Sequence, residues 1–168
     1  MTDASRDEVD AIIAAWNVER PDLNAEPMGV LSRVSRLARH LDLQRRKAFA
    51  DHGLEPWEFD VLSSLRRAGA PYSLTPGALM NELLVSSGTM TNRIDRLEAR
   101  GLVSRAPSPS DRRAVLVTLT GAGRAVVDEA LAALLDCEQA ILSPIAEADR
   151  AVLADVLRSA LLGLERSR

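Results

Sequence analysis

The 168-residue sequence predicts a mainly α-helical fold that carries one small β-hairpin. Three observations lead there. Apolar residues recur at helical spacing along most of the chain, the period changes to two only over residues 102–119, and glycine, proline and aromatic residues are few. With 46% hydrophobic and 27% charged residues the chain has the composition of a protein able to bury a core, and its length suits one domain with an elaboration.

The elements follow in order. Ser5-Arg6-Asp7-Glu8 has the S-x-x-E form of a capping box, in which a serine oxygen and a glutamate carboxylate satisfy free amides at a helix start. A first helix is expected over 5–19, with Val9, Ile12, Ile13 and Trp16 on one face and Pro21 closing it. A second is expected over 27–50. There Val30, Leu31, Val34, Leu37, Leu41 and Phe49 should face inward, with Arg33, Arg36, Arg39, Arg45, Arg46 and Lys47 largely outward. Gly53 ends it, since glycine tolerates positive φ. Pro56 and Pro76 each sit where a helix can begin, because proline costs nothing at the first helical position. Helices over 56–68 and 75–83 result, the second with Thr75 as N-cap.

Further along, Met90, Ile94, Leu97 and Gly101 share one helical face while Thr91, Asn92, Asp95, Arg96 and Ala99 point away from it. Beyond Gly101, Val115, Val117 and Leu119 alternate as a half-buried strand does, and 102–106 is the expected partner strand. The connector "PSPSDRR" has turn chemistry and an arginine tip. Residues 120–142 are helical again. Ser143-Pro144 is expected to open the last helix, whose apolar stripe of Val152, Leu153, Val156, Leu157, Ala160, Leu161 and Leu164 is too broad for the edge of a monomer.

Charge is segregated along the chain although its sum is only −3. Residues 1–29 carry seven acids against two bases, 30–50 six bases against one acid, and 128–165 eight acids against two bases. Residues 86–113 hold six arginines against three acids. Such asymmetry can present a basic surface to a polyanion while the rest of the molecule is repelled from it; solvated helix faces are the alternative reading.

Several function classes find no support. His40, His52 and Cys137 lie on separate elements, with no nucleophile elbow, phosphate loop or metal-ligand spacing, so neither an enzyme, a cofactor nor a metal is expected. No apolar run approaches the length of a membrane span, and the N-terminus is acidic where a signal peptide would be basic and then apolar, so the expected location is the cytoplasm.

Helix, short turn, second helix and hairpin is the order of a winged helix-turn-helix. A helix that reads DNA needs short hydrogen-bonding groups near its N-terminus and cations behind them, and Ser87, Thr89, Thr91, Asn92 and Arg96 supply that mixture for base edges and phosphates. Arg112 and Arg113 at the hairpin tip suit the negative potential of the minor groove, and the bases of 33–47 suit further phosphate contacts. Arg105 is expected to face solvent or a phosphate.

"TNRIDRLEARGLVSRAPSPSDRRAVLVTLTGAG", residues 91–123, resembles the recognition helix and wing of the MarR family of bacterial transcription regulators, including D-R-R followed by a strand ending in L-T. The resemblance covers nearly the whole chain. It implies a homodimer on a pseudo-palindromic site in double-stranded DNA, with a helical dimerisation region over 1–55 and 121–168 and a DNA-binding domain over 56–120. It also implies that Asp111 orients a wing arginine by an ion pair, where a plain turn residue is the alternative. "AWNVERPDLNAEPMGVLSRVSRLARHL", 15–41, and "EFDVLSSLRRAGAPYSLTP", 58–76, are similar to the urate-responsive PecS and HucR subgroup of that family. That similarity implies a ligand pocket formed by Trp16, Asp60 and Arg93, and repression relieved by a small anionic aromatic ligand such as urate. Arg93 lies beside the buried face of its helix and needs an anion, for which Asp60 is a candidate. Plain core filling by Trp16, another aromatic anion, a redox switch through Cys137, and a helical interaction protein that does not touch DNA are the competing expectations.

Overall fold

The structure, a computed structural model, describes residues 6–107 and 114–166. Two compact units divide the chain, Met1–Arg45 and Arg46–Arg168.

In the first unit, helix α1 (Glu8–Glu19) is capped by Asp7. The Asp7 carboxylate accepts from the amides of Val9 (2.9 Å) and Asp10 (3.2 Å), and the Asp10 carboxylate accepts from the Asp7 amide (2.9 Å). The cap thus falls two residues beyond the expected Ser5, which lies outside the described residues. An ionised carboxylate accepts two amides at the positive end of the helix more strongly than a hydroxyl does. Helix α2 (Met28–Asp51) starts in this unit. Its Arg33 donates from Nε to Asp7 (2.8 Å) and from Nη2 to Asp10 (2.9 Å), and Arg36 pairs with Glu8. Two of the bases expected to face outward are therefore occupied by the acids of α1.

The Arg33 guanidinium holds the Asp7 carboxyl at about 2, down from its ordinary 3.8. Because the folded value lies below the ordinary one, this contribution is present above the ordinary carboxylate range and lost as pH falls toward 2. Asp7→Asn keeps an oxygen acceptor at the cap but removes the charge. Amide hydrogen exchange of α1 should accelerate in the variant near neutral pH, and the difference from the unaltered protein should close near pH 2; equal exchange at both would contradict the assignment.

The apolar stripe of α2 is exposed in the single chain, where Val30, Leu31, Val34 and Leu37 range from 39% to 64% accessible and only Ala48 and Phe49 are buried. Of the six residues expected to face inward only Phe49 is buried, because helical spacing says which residues lie together and not what covers them.

The second unit contains α3 (Pro56–Arg67), β1 (Ser73–Leu74), α4 (Pro76–Leu83), α5 (Ser87–Ala99), β2 (Val103–Pro107), β3 (Val115–Leu119), α6 (Gly121–Leu142) and α7 (Glu147–Arg166). Both prolines occupy the first turn of their helices, and the Thr75 hydroxyl accepts from the Ala78 amide. Gly53 takes φ 66°, as its position after α2 requires. The core joins Phe49, stacked on Phe59 at 4.1 Å, to Leu62, Leu65, Leu79, Met90, Ile94, Leu97, Val117 and Val127.

The expected hairpin is present as β2 and β3, with Val103 opposite Leu119 and Pro107 opposite Val115. A third strand extends it. Ser73 and Leu74 pair antiparallel with Thr118 and Val117, giving the order β1-β3-β2, and the Ser73 and Thr118 hydroxyls hydrogen-bond at 2.7 Å. Two residues are too few to carry a period, so pattern alone misses β1.

Helix α6 begins where Thr120 caps it, its hydroxyl oxygen accepting from the Gly123 amide (3.0 Å). Its end also departs from expectation. Ser143 forms the C-cap of α6, donating from its hydroxyl to the Ala140 carbonyl (2.8 Å), and the next helix starts only at Glu147. A serine that caps the preceding helix is no longer free to open the next. No residue of α7 is buried in the single chain, and Val152, Val156 and Leu161 are each about 60% exposed.

Candidate nucleic-acid interface

Helices α4 and α5 form a helix-turn-helix, with Leu84 between them in the left-handed region at φ 53°. The side chain of Ser86 caps α5, its oxygen accepting from the Thr89 amide. Met90, Ile94 and Leu97 are buried and fix the rotation of α5 about its own axis. Ser87, Thr89, Thr91, Asn92 and Arg96 are therefore exposed together, and Arg93 is half-buried at the margin. Short donors and acceptors cluster at the positive N-terminal end of the helix, with guanidinium groups following.

Ion pairs hold this helix to its neighbours. Arg100, the C-cap of α5, donates from Nη1 to the Glu58 carboxylate of α3 (2.6 Å) and from Nη2 to the Gly53 carbonyl (2.9 Å). Glu58 is buried, and it also accepts from the Glu55 amide (2.9 Å). Arg105 of β2 pairs with Asp95 and Glu98 on α5, while its own amide donates to Glu98 (3.0 Å). It therefore braces the root of the wing against the helix instead of facing solvent.

Trp57 lies beside the outer face of α5. The Arg96 guanidinium carbon stands 4.7 Å from the centre of a Trp57 ring, that of Arg93 5.6 Å, and the indole N–H donates to Glu55. Trp57, Gly88, Thr89, Asn92, Arg93 and Arg96 line one open cleft.

The residues expected to form a ligand pocket are distributed as follows. Trp16, in the first unit, is half exposed and borders a cleft with Arg20, Leu23, Asn24, Ala25 and Met28. Asp60 accepts at its carbonyl from the hydroxyls of Ser63 (3.1 Å) and Ser64 (2.9 Å). Among the described residues no ion pair joins Asp60 to Arg93, whose cation lies over the electron-rich face of Trp57 instead. Asp111, Arg112 and Arg113 lie outside the described residues. Cys137 sits partly buried on α6. No helix among the described residues is long and apolar enough to cross a membrane.

Sequence reasoning overlooked Trp57, Glu55 and Arg100. Their partners are three-dimensional, and the only available signal was an aromatic residue directly after the helix-opening Pro56.

An exposed polar helix set on a buried apolar face, preceded by a helix and turn and followed by a two-stranded wing whose sheet is extended by β1 from before α4, defines a winged helix-turn-helix, the architecture of DNA-binding regulators. The family model described as "MarR family" matches residues 52–114. The chain is 39% identical over 150 residues to the HTH-type transcriptional regulator PecS of Dickeya dadantii (strain 3937), spanning 89% of this chain and 90% of that relative. The chain belongs to the MarR family. It is also 42% identical over 72 residues to the multiple antibiotic resistance protein MarR of Salmonella typhimurium, a match covering 43% of this chain and 48% of that protein. Among solved structures, a mutant MarR from E. coli complexed with operator DNA superposes with a TM-score of 0.65 at 28% identity, covering 87% of this chain and 97% of the other. A MarR family protein from Bacillus stearothermophilus shares the fold with a TM-score of 0.71 at 24% identity, over 87% and 99% of the two chains.

Proposed function

We propose that this regulator binds a pseudo-palindromic operator as a homodimer, represses transcription there, and releases the DNA when a small anionic aromatic ligand, of the kind urate represents, binds. The observation that carries the DNA-binding part is the outward face of α5, where Ser87, Thr89, Thr91, Asn92 and Arg96 are exposed over buried Met90, Ile94 and Leu97. Asn92 matches the edge of an adenine and Arg96 a guanine or phosphate. Arg112 and Arg113 serve the minor groove, with Asp111 orienting a wing arginine. The homodimer reading rests on α7, whose apolar residues are uncovered in one chain, and assigns 1–55 and 121–168 to dimerisation around a DNA-binding domain at 56–120.

Fluorescence anisotropy of a labelled duplex from the protein's own upstream region, at two salt concentrations with and without urate, tests these statements together. Binding should weaken steeply with salt, because each neutralised phosphate releases counterions, and urate should release the duplex. Arg113→Ala should weaken binding to every duplex, whereas Asn92→Ala should change preference among sites by about tenfold. Salt-insensitive binding would remove the DNA reading, and binding unaffected by urate would remove that ligand. Sedimentation at one protomer mass would remove the homodimer.

A further inference from the structure

The outer face of α5 has a support that the DNA-binding reading does not use. Arg96 carries four side-chain torsions, and in a free chain those torsions leave its guanidinium spread over many positions. Here it rests against an aromatic ring. The group lies 4.7 Å over a Trp57 ring and donates from Nη2 to the Glu55 carboxylate at 3.4 Å. Glu55 in turn takes the Trp57 indole N–H at 2.5 Å, which fixes the ring plane, and the helix start at Pro56 fixes the backbone beneath both. Arg93 approaches the same side chain at 5.6 Å, so one indole faces two cations. Arg96 nevertheless stays open to solvent, with 54% of its side chain accessible, and shares its cleft with Thr89 and Asn92. Such an arrangement restricts a cation without hiding it.

We propose that Trp57, anchored by Glu55, is a positioning residue for sequence discrimination: it presents the Arg96 guanidinium beside Thr89 and Asn92 in the orientation that reads a base edge. This rests on the DNA-binding reading of α5. The physical consequence concerns discrimination more than overall affinity. A flexible arginine reaches any phosphate, and phosphate contacts carry no sequence information, whereas a pre-oriented planar donor set favours the base edge that matches it. A bidentate base edge also returns more hydrogen bonds to Arg96 than a single solvated phosphate does.

The experiment compares affinity for the tightest duplex selected from a random library by the unaltered protein with affinity for a scrambled duplex of equal length and composition. The ratio of the two is the readout, and thermal unfolding followed by circular dichroism accompanies each variant. Trp57→Leu should lower the ratio about tenfold, the scale of a solvent-accessible cation–aromatic contact together with its anchoring hydrogen bond. Trp57→Tyr, which restores an aromatic face, should recover most of it. The Trp57→Leu, Arg96→Ala double variant should be no less selective than Arg96→Ala alone, because the indole acts through that guanidinium. A ratio unchanged in a folded Trp57→Leu, or additive losses in the double variant, would overturn the proposal. If Trp57→Leu fails to fold, Trp57→Tyr and Trp57→Phe decide it: Phe keeps a ring but loses the bond to Glu55, so a ratio equal to that of the unaltered protein in both would also overturn it. Failure of the unaltered protein to prefer any duplex would instead strike the DNA-binding reading itself, and this inference with it.

Discussion

Gly123→Ala should destabilise the folded chain by about 3 kcal/mol, at the upper end of what a single overpacked position costs. Gly123 occupies the first turn of α6, where its amide donates to the capping Thr120 oxygen at 3.0 Å. A methyl group there would stand 2.0 Å from the Leu102 carbonyl oxygen and 2.9 Å from a Leu119 methyl carbon. The first of these neighbours is backbone, fixed by the Thr120 amide that donates to the same carbonyl at 3.1 Å, so it cannot swing aside as a flexible side chain would. Relief requires α6 to move away from the wing, which breaks its cap. The expected result is a lower urea midpoint with an unchanged slope. Alanine at neighbouring Gly121, where nothing lies within 4 Å of the added carbon, is the control and should not destabilise. Equal midpoints for the two variants would refute the packing argument.

Arg100→Met should cost a similar amount by a different route. The Glu58 side chain is 3% exposed, and its carboxylate is held by Arg100 at 2.6 Å and by the Glu55 amide at 2.9 Å. Removing the guanidinium leaves a buried charge with one neutral donor, and breaking a buried pair from one side costs about 3 kcal/mol. The Gly53 carbonyl loses its partner at the same time. Because the penalty lies in the stranded charge, the double variant with Glu58→Gln should recover part of the loss, a coupling that chemical denaturation of the four proteins measures. Strict additivity would show that the pair contributes no mutual stabilisation. This pair also ties the end of α5 to the start of α3, so Arg100→Met should weaken duplex binding under conditions where the protein remains folded.

Much of the helical architecture was legible because it is local. Pro56 and Pro76 announced their helices, Thr75 its cap, and Gly53 its positive φ, since each follows from the chemistry of one residue and its immediate neighbours. Met90, Ile94 and Leu97 announced the buried face of α5 and therefore the opposite face that carries Thr91, Asn92 and Arg96. The sequence also carried the family, because residues 91–123 combine a recognition helix, turn and strand in one contiguous stretch. Signals of two residues or fewer fell below that resolution. β1 has no period to detect, and a choice between Ser5 and Asp7 as cap, or between Ser143 and a later residue as the last helix start, turns on which oxygen finds an amide.

By itself, then, the sequence determined which residues share a face, where helices start and stop to within a few positions, and that the face bearing Asn92 and Arg96 is polar and cationic. Only the tertiary structure decided what those charges touch. It paired Arg33 with Asp7 and Asp10, Arg100 with Glu58, and Arg105 with Asp95 and Glu98, and it set Arg93 and Arg96 against Trp57. The physical reason is that periodicity encodes the direction of a side chain relative to its own element, whereas an ion pair or a cation–aromatic contact requires two elements to meet. Their meeting is set by the packing of the whole core.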